Sequence, residues 1–131
     1  MAKVYLCGPI NMCTDAEAND WRTEAKRKLR EEFTLLDPMI RDYRGAEKDS
    51  YREIVELDKI DVRNCDIVLA NCVTPSAGTS MEILYAHQLG KIVVSVTSLI
   101  TSPWIRYHST VLTTSLDEAI DWILDTGITV L

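Results

Sequence analysis

Short β-branched runs alternate along this chain with longer polar segments carrying an apolar face of helical period. That alternation constrains the fold more than any single residue does. "KVYLC" (3–7) stops at Gly8-Pro9, "TLLD" (34–37) stops at Pro38, and "DIVLAN" (66–71), "KIVVSV" (91–96) and "TVLTT" (110–114) follow. Between them lie helical patterns from Thr14 to about Phe33 with Trp21, Ala25 and Leu29 on one face, from about 49 to 64, from about Thr79 to Leu89, and over "SLDEAIDWILD". Thr14/Glu17 and Ser115/Glu118 have capping-box spacing. "IVLA" and "IVVSV" are apolar without alternation, as in a strand covered on both faces. The pattern predicts an α/β, doubly wound, mainly parallel sheet of about five strands flanked by helices, with "MIRDYRGAEKDS" and "TSLITSPWIRYHS" as its two long loops.

A chain of 131 residues is the size of one domain, and no repeat or linker divides it, so residues 1–131 are read as a single unit. Its 47% hydrophobic and 26% charged residues are those of an ordinary globular protein. A net charge of −6 argues against a nucleic-acid partner, which would need clustered Lys and Arg. No apolar run suits a membrane span and the amino terminus enters a strand pattern at once, so the expected location is cytoplasmic, with no membrane partner. Cys7, Cys13, Cys65 and Cys72 form no C-x-x-C pair and lie far from His87 and His108. They are expected as reduced, buried thiols, with no metal bound.

Ligands of such sheets sit at the carboxyl ends of the strands, which directs attention to the loops after Cys7, Asp37, Asn71 and Val96. Asp58 falls on an apolar helical stripe with Tyr51, Val55 and Val62. A carboxylate there either opens onto a cleft or meets a partner, unless the stripe is only half buried and Asp58 solvated. Asp61 and Glu56 read as solvated. Glu82 has two readings: Thr79-Ser80-Met81-Glu82 matches a capping box, whereas the position, near the carboxyl end of a strand beside small residues, suits chemistry. In "PSAGTS" the backbone N–H groups around Gly78 and Thr79 can approach a ligand, but the loop lacks the ending of a P-loop. Tyr5 on the first strand reads, from the residues alone, rather as a core aromatic. Two acids beside such a loop suggest cleavage of a glycosidic bond, in generic terms.

"YLCGPI", "LLDPMIRDYRG", "EIVELDKIDVRNCDIVLAN" and "PSAGTSMEILYAHQLGK" together resemble the nucleoside 2-deoxyribosyltransferase family, which includes related 2′-deoxynucleoside 5′-monophosphate N-glycosidases. The likeness reaches more weakly into "SPWIRYH" and "SLDEAI". It implies a flavodoxin-like fold, homo-oligomers with sites near subunit interfaces, nucleoside or nucleoside monophosphate substrates and a nucleobase acceptor, and no cofactor. By this likeness Glu82 is the nucleophile, Asp58 the proton donor and Tyr5 the residue orienting Glu82. Gly8, Pro9 and Ile10 then line the sugar or base pocket, and Asn71 closes the strand before the catalytic loop.

The departures bear on substrate. The better-known transferases carry an acid six positions before the nucleophile, and here that position is Ser76, as in the related monophosphate hydrolases, where the serine helps bind phosphate. The loop "GPINMCTD" lacks the arginine those hydrolases have. Phosphate or neighbour-subunit contacts would then fall to Arg41, Arg44, Arg106 or His108, the three arginines each reading singly as surface. The tail "DTGITVL" offers no Asn to reach a neighbouring site. A non-catalytic nucleotide-binding module on the same scaffold is the reading from another class.

Overall fold

The computed structural model describes residues 1–98 and 102–127. Five strands, β1 (Lys3–Cys7), β2 (Thr34–Leu36), β3 (Ile67–Asn71), β4 (Ile92–Val96) and β5 (Val111–Thr113), form one sheet in the order β2-β1-β3-β4-β5. Every neighbouring pair is parallel, so the sheet is parallel throughout rather than mainly so. The order reverses between β1 and β3, and such reversals open a crevice at the carboxyl ends of the two strands.

Alternate residues of β1 and β3 feed two cores. Val4, Leu6, Ile67 and Leu69 face α1 (Asp15–Leu29) and α5 (Leu116–Trp122), while Tyr5, Cys7, Val68 and Ala70 face α2 (Glu47–Asn64) and α3 (Ala77–Gln88). These strands are buried on both sides, which is why they read as unbroken apolar runs. Thr14 closes α1 with a full capping box to Glu17. Ser115 caps α5, but the Glu118 carboxylate turns to the Thr114 backbone N–H instead of completing the box.

Several boundaries move. The first helix ends at Leu29, because a turn at Arg30–Glu32 returns Phe33 to the core as a buried residue outside the helix. The first long loop contains a 3-10 turn, Pro38–Arg41, capped by Asp37 through the Met39 N–H at 2.9 Å. Residue Ser50 kinks α2. The second long loop holds a short helix, α4 (Pro103–His108), capped by Ser102; its residues 99–101, like 128–131 of the tail, lie outside the described residues. A π turn, Ile123–Gly127, follows α5. Cys7 and Cys65 are buried as expected, but Cys13 and Cys72 are only partly so; all four are free thiols. Among the described residues no helix is long and apolar enough to cross a membrane.

Candidate active site

Helix α3 begins three residues earlier than the Thr79 capping pattern suggests. Ser76, in extended conformation, is the N-cap, and its Oγ accepts from the Thr79 N–H at 3.3 Å. Ala77 and Gly78 then fit the first turn, which leaves Glu82 well past it, with no part in the cap. The capping reading of Glu82 is thereby removed. Its Oε2 instead accepts the hydroxyl hydrogen of Tyr5, which reaches from β1 across the α3 face of the sheet and is itself buried.

Burial pushes the Glu82 carboxyl up to about 8, and the charge of Asp58 pushes in the same direction, while the Tyr5 hydroxyl and the more distant Arg22 oppose it. Tyr5 is held well above the usual phenol range, first by burial and then by Glu82. Asp58 also lies above the ordinary carboxylate range, because burial outweighs the ion pair it makes with Arg41. Two carboxyl groups from different helices thus lie within electrostatic reach, the charge of Asp58 opposing ionisation of Glu82, with a phenol hydrogen-bonded to Glu82. Such a pair holds one proton over a range of pH and can supply one nucleophile and one acid.

The apolar stripe on α2 is buried only at Val62, for Tyr51 and Val55 are about half exposed. Asp58 is nonetheless 78% covered, since Arg41 closes over it. Asp61, which the sequence reads as solvated, is covered too and binds the same guanidinium. Asn71 lies at the β3 end beside Gly8, where an added Cβ would stand 3.3 Å from the Asn71 Cβ and 2.7 Å from Trp21. Gly8 is therefore fixed by space, with Pro9 and Ile10 half-buried after it. Thr79 is buried, and among the described residues its Oγ1 has no hydrogen-bond partner. It lines a cavity of about 330 Å³ between the α3 amino terminus and α4, together with Ser76, Ser80, Ser102 and Ile105.

Other expected site residues have protein partners. Asp37 binds Lys26 at 2.7 Å and approaches Arg22 at 3.8 Å, turning toward α1. Arg44 is occupied by Asp15 and Asp42, fastening the loop after β2 to the start of α1. Arg106 is exposed on α4, and His108 bonds the Trp104 carbonyl and packs edge-on against His87. Neither meets the Tyr5–Glu82 pair.

Arg22 was not anticipated. Fully buried, it donates to the carbonyls of Leu6, Gly8 and Ala18 at 3.2, 2.9 and 2.5 Å, pinning the end of β1 to α1. It lies on the stripe of Ala18, Ala25 and Leu29, so the test applied to Asp58, a charge in an apolar helical register, would have found it.

The parallel five-stranded sheet, with helices on both faces and its order reversing between β1 and β3, defines an α/β protein of the doubly wound class. The family model for nucleoside 2-deoxyribosyltransferase matches residues 4–115, and the chain belongs to that family. Among solved structures it is similar to the 2-deoxyribosyltransferase of Bacillus psychrosaccharolyticus, at 17% identity with a TM-score of 0.77, covering 97% of this chain and 95% of that one. It is also similar to the Leishmania mexicana 2-deoxyribosyltransferase, at 17% identity and TM-score 0.70, over 96% of this chain and 99% of that one. The Clostridium botulinum CMP N-glycosidase BcmB aligns at 18% identity and TM-score 0.66, over 92% and 96%. No curated protein sequence matches the chain significantly.

Proposed function

We propose that this protein cleaves the N-glycosidic bond of (2′-deoxy)nucleosides and transfers the sugar to another nucleobase. The carrying observation is the buried Tyr5–Glu82 hydrogen bond, within reach of the Asp58 charge, in a chain of this family. In this reading a Glu82 carboxylate oxygen attacks the anomeric carbon, the C–N bond breaks with its electron pair leaving on the base nitrogen, and Asp58 protonates that base. An incoming base then attacks the same carbon, yields its proton to Asp58 and releases Glu82. The Tyr5 hydroxyl fixes which Glu82 oxygen points outward. Nothing in the scheme calls for a cofactor.

A second reading, hydrolysis of a nucleoside 5′-monophosphate to free base and sugar phosphate, is favoured by one feature. The cavity at the α3 amino terminus is lined by the hydroxyls of Ser76, Thr79, Ser80 and Ser102, with no carboxylate at position 76. BcmB, a CMP N-glycosidase, has the same fold. Exposed Tyr51 and Val55 on α2, near the site, support assembly of several copies around it.

Incubation with deoxynucleosides and their 5′-monophosphates, with and without an acceptor base, separates the readings by chromatography. Sugar exchange that requires the acceptor supports transfer, and free base from the monophosphate alone supports hydrolysis. Folded protein that yields neither sinks both, and leaves the non-catalytic binding module.

A further inference from the structure

Arg41 divides its guanidinium between two carboxylates. One nitrogen, Nη2, lies 3.1 Å from Asp58 Oδ1 and 2.8 Å from Asp61 Oδ2. Asp58 and Asp61 are three residues apart on α2 and so share a face, and all three side chains are covered to about four-fifths. Arg41 closes the 3-10 turn whose cap, Asp37, is anchored on α1 by Lys26, so its placement is fixed from outside the site.

The other groups facing Asp58 are Tyr43 from the same connection, Tyr5 from β1, Glu82 from α3 and, at longer range, Arg22 from α1. Cys7 of β1 also feels its charge, as a thiol that burial keeps neutral. Among the described residues, Arg41 is the one cation in ion-pair contact with Asp58.

We infer that Arg41 and Asp61 are a positioning pair that sets how readily Asp58 releases and recovers its proton. An arginine held by one carboxylate alone keeps that carboxylate ionised, which suits a structural ion pair and spoils a proton donor. Asp61, the nearer of the two, draws off part of the guanidinium and adds its own negative charge. Asp58 keeps a cation to orient it and still accepts a proton, in agreement with its position above the ordinary carboxylate range. The inference rests on Asp58 serving as the acid of the proposed reaction, but its test reads Asp58 directly.

Carboxyl carbon NMR on selectively labelled protein, with the Asp58 signal assigned by its loss in D58N, follows the titration in the wild type, D61N, R41Q and R41K. D61N is expected to lower the Asp58 midpoint by about one pH unit or more, R41Q to raise it by about one to three, and R41K to stay near the wild type. The acid limb of kcat/KM, measured on deoxynucleosides and their monophosphates, moves with the midpoint. Should R41Q fail to fold by circular dichroism, D61N decides alone. A folded D61N protein with an unmoved Asp58 midpoint overturns the inference. Shifted midpoints without turnover on any nucleoside support the pair and count instead against the glycosidic reading.

Discussion

Tyr5 donates its phenolic hydrogen to Glu82 across 77 residues of sequence, joining the first strand of the sheet to its third helix. Both groups are desolvated, so the bond does more than it would in water: it limits how far burial can push Glu82 toward its neutral form.

Replacing Tyr5 by Phe removes that donor with little change in shape. Turnover should fall by about 10- to 100-fold, the worth of a hydrogen bond to a charged group. The Glu82 titration should move above about 8, since the lost bond is among the causes holding it down. Steady-state kinetics with a pH series reads both effects, and an unchanged profile would remove Tyr5 from the catalytic account.

The carboxyl pair should give kcat/KM a bell-shaped dependence on pH. At low pH both Asp58 and Glu82 are protonated and no nucleophile exists; at high pH neither holds a proton and no acid exists. Between these limits the pair shares one proton, and the form that reacts carries it on Asp58 although Glu82 holds it more readily at rest. With Glu82 raised to about 8, the alkaline limb should fall near pH 8, and the acid limb should lie above the ordinary range of a free aspartate. A profile flat from pH 5 to 9 would mean that the pair is not the acid–base machinery.

Glu82→Gln should abolish transfer and strengthen the fold under alkaline conditions. Glu82 holds its proton in the folded state up to about pH 8 but loses it near 4.5 when unfolded, so the folded state binds more protons between these values. Wild-type stability therefore declines as pH rises through that window, by an amount on the order of 5 kcal/mol at most. The glutamine variant lacks this slope, and thermal melts at pH 5 and pH 9 should show its advantage only at the higher pH.

Gly8→Ala drives a methyl group to 2.7 Å from the Trp21 ring, in a strand end already packed against Asn71. The expected cost is about 1–3 kcal/mol of overpacking, visible as a lowered melting temperature with altered tryptophan fluorescence. A neutral result would show that Trp21 can swing aside.

The strands were legible because burial on both faces writes itself as unbroken apolar runs, and Val68 and Val94 have no solvent side to betray. The α3 cap was not, for a physical reason: Thr79 and Glu82 satisfy a capping box more fully than Ser76 and Thr79 do, yet the chain starts the helix at Ser76. A local pattern cannot see that Tyr5, far away in sequence, takes the Glu82 carboxylate. Asp58 stood out because its neighbours in helical register are apolar, although Tyr51 and Val55 proved half exposed and the covering came from Arg41. Asp61 looked solvated for want of any sequence sign that Arg41 would fold back over it. The short helix α4 escaped notice because six residues beginning with a proline carry too little periodicity to separate from a loop.

Gly8, Trp21 and Arg22 form an interlocked trio: the ring of Trp21 forbids a side chain at position 8, and Arg22 grips the carbonyl that Gly8 presents. None of the three can drift alone without disturbing the others. Among diverging descendants of this chain, these positions should therefore change together or stay still, even where the substrate loops around Ser76 are rewritten.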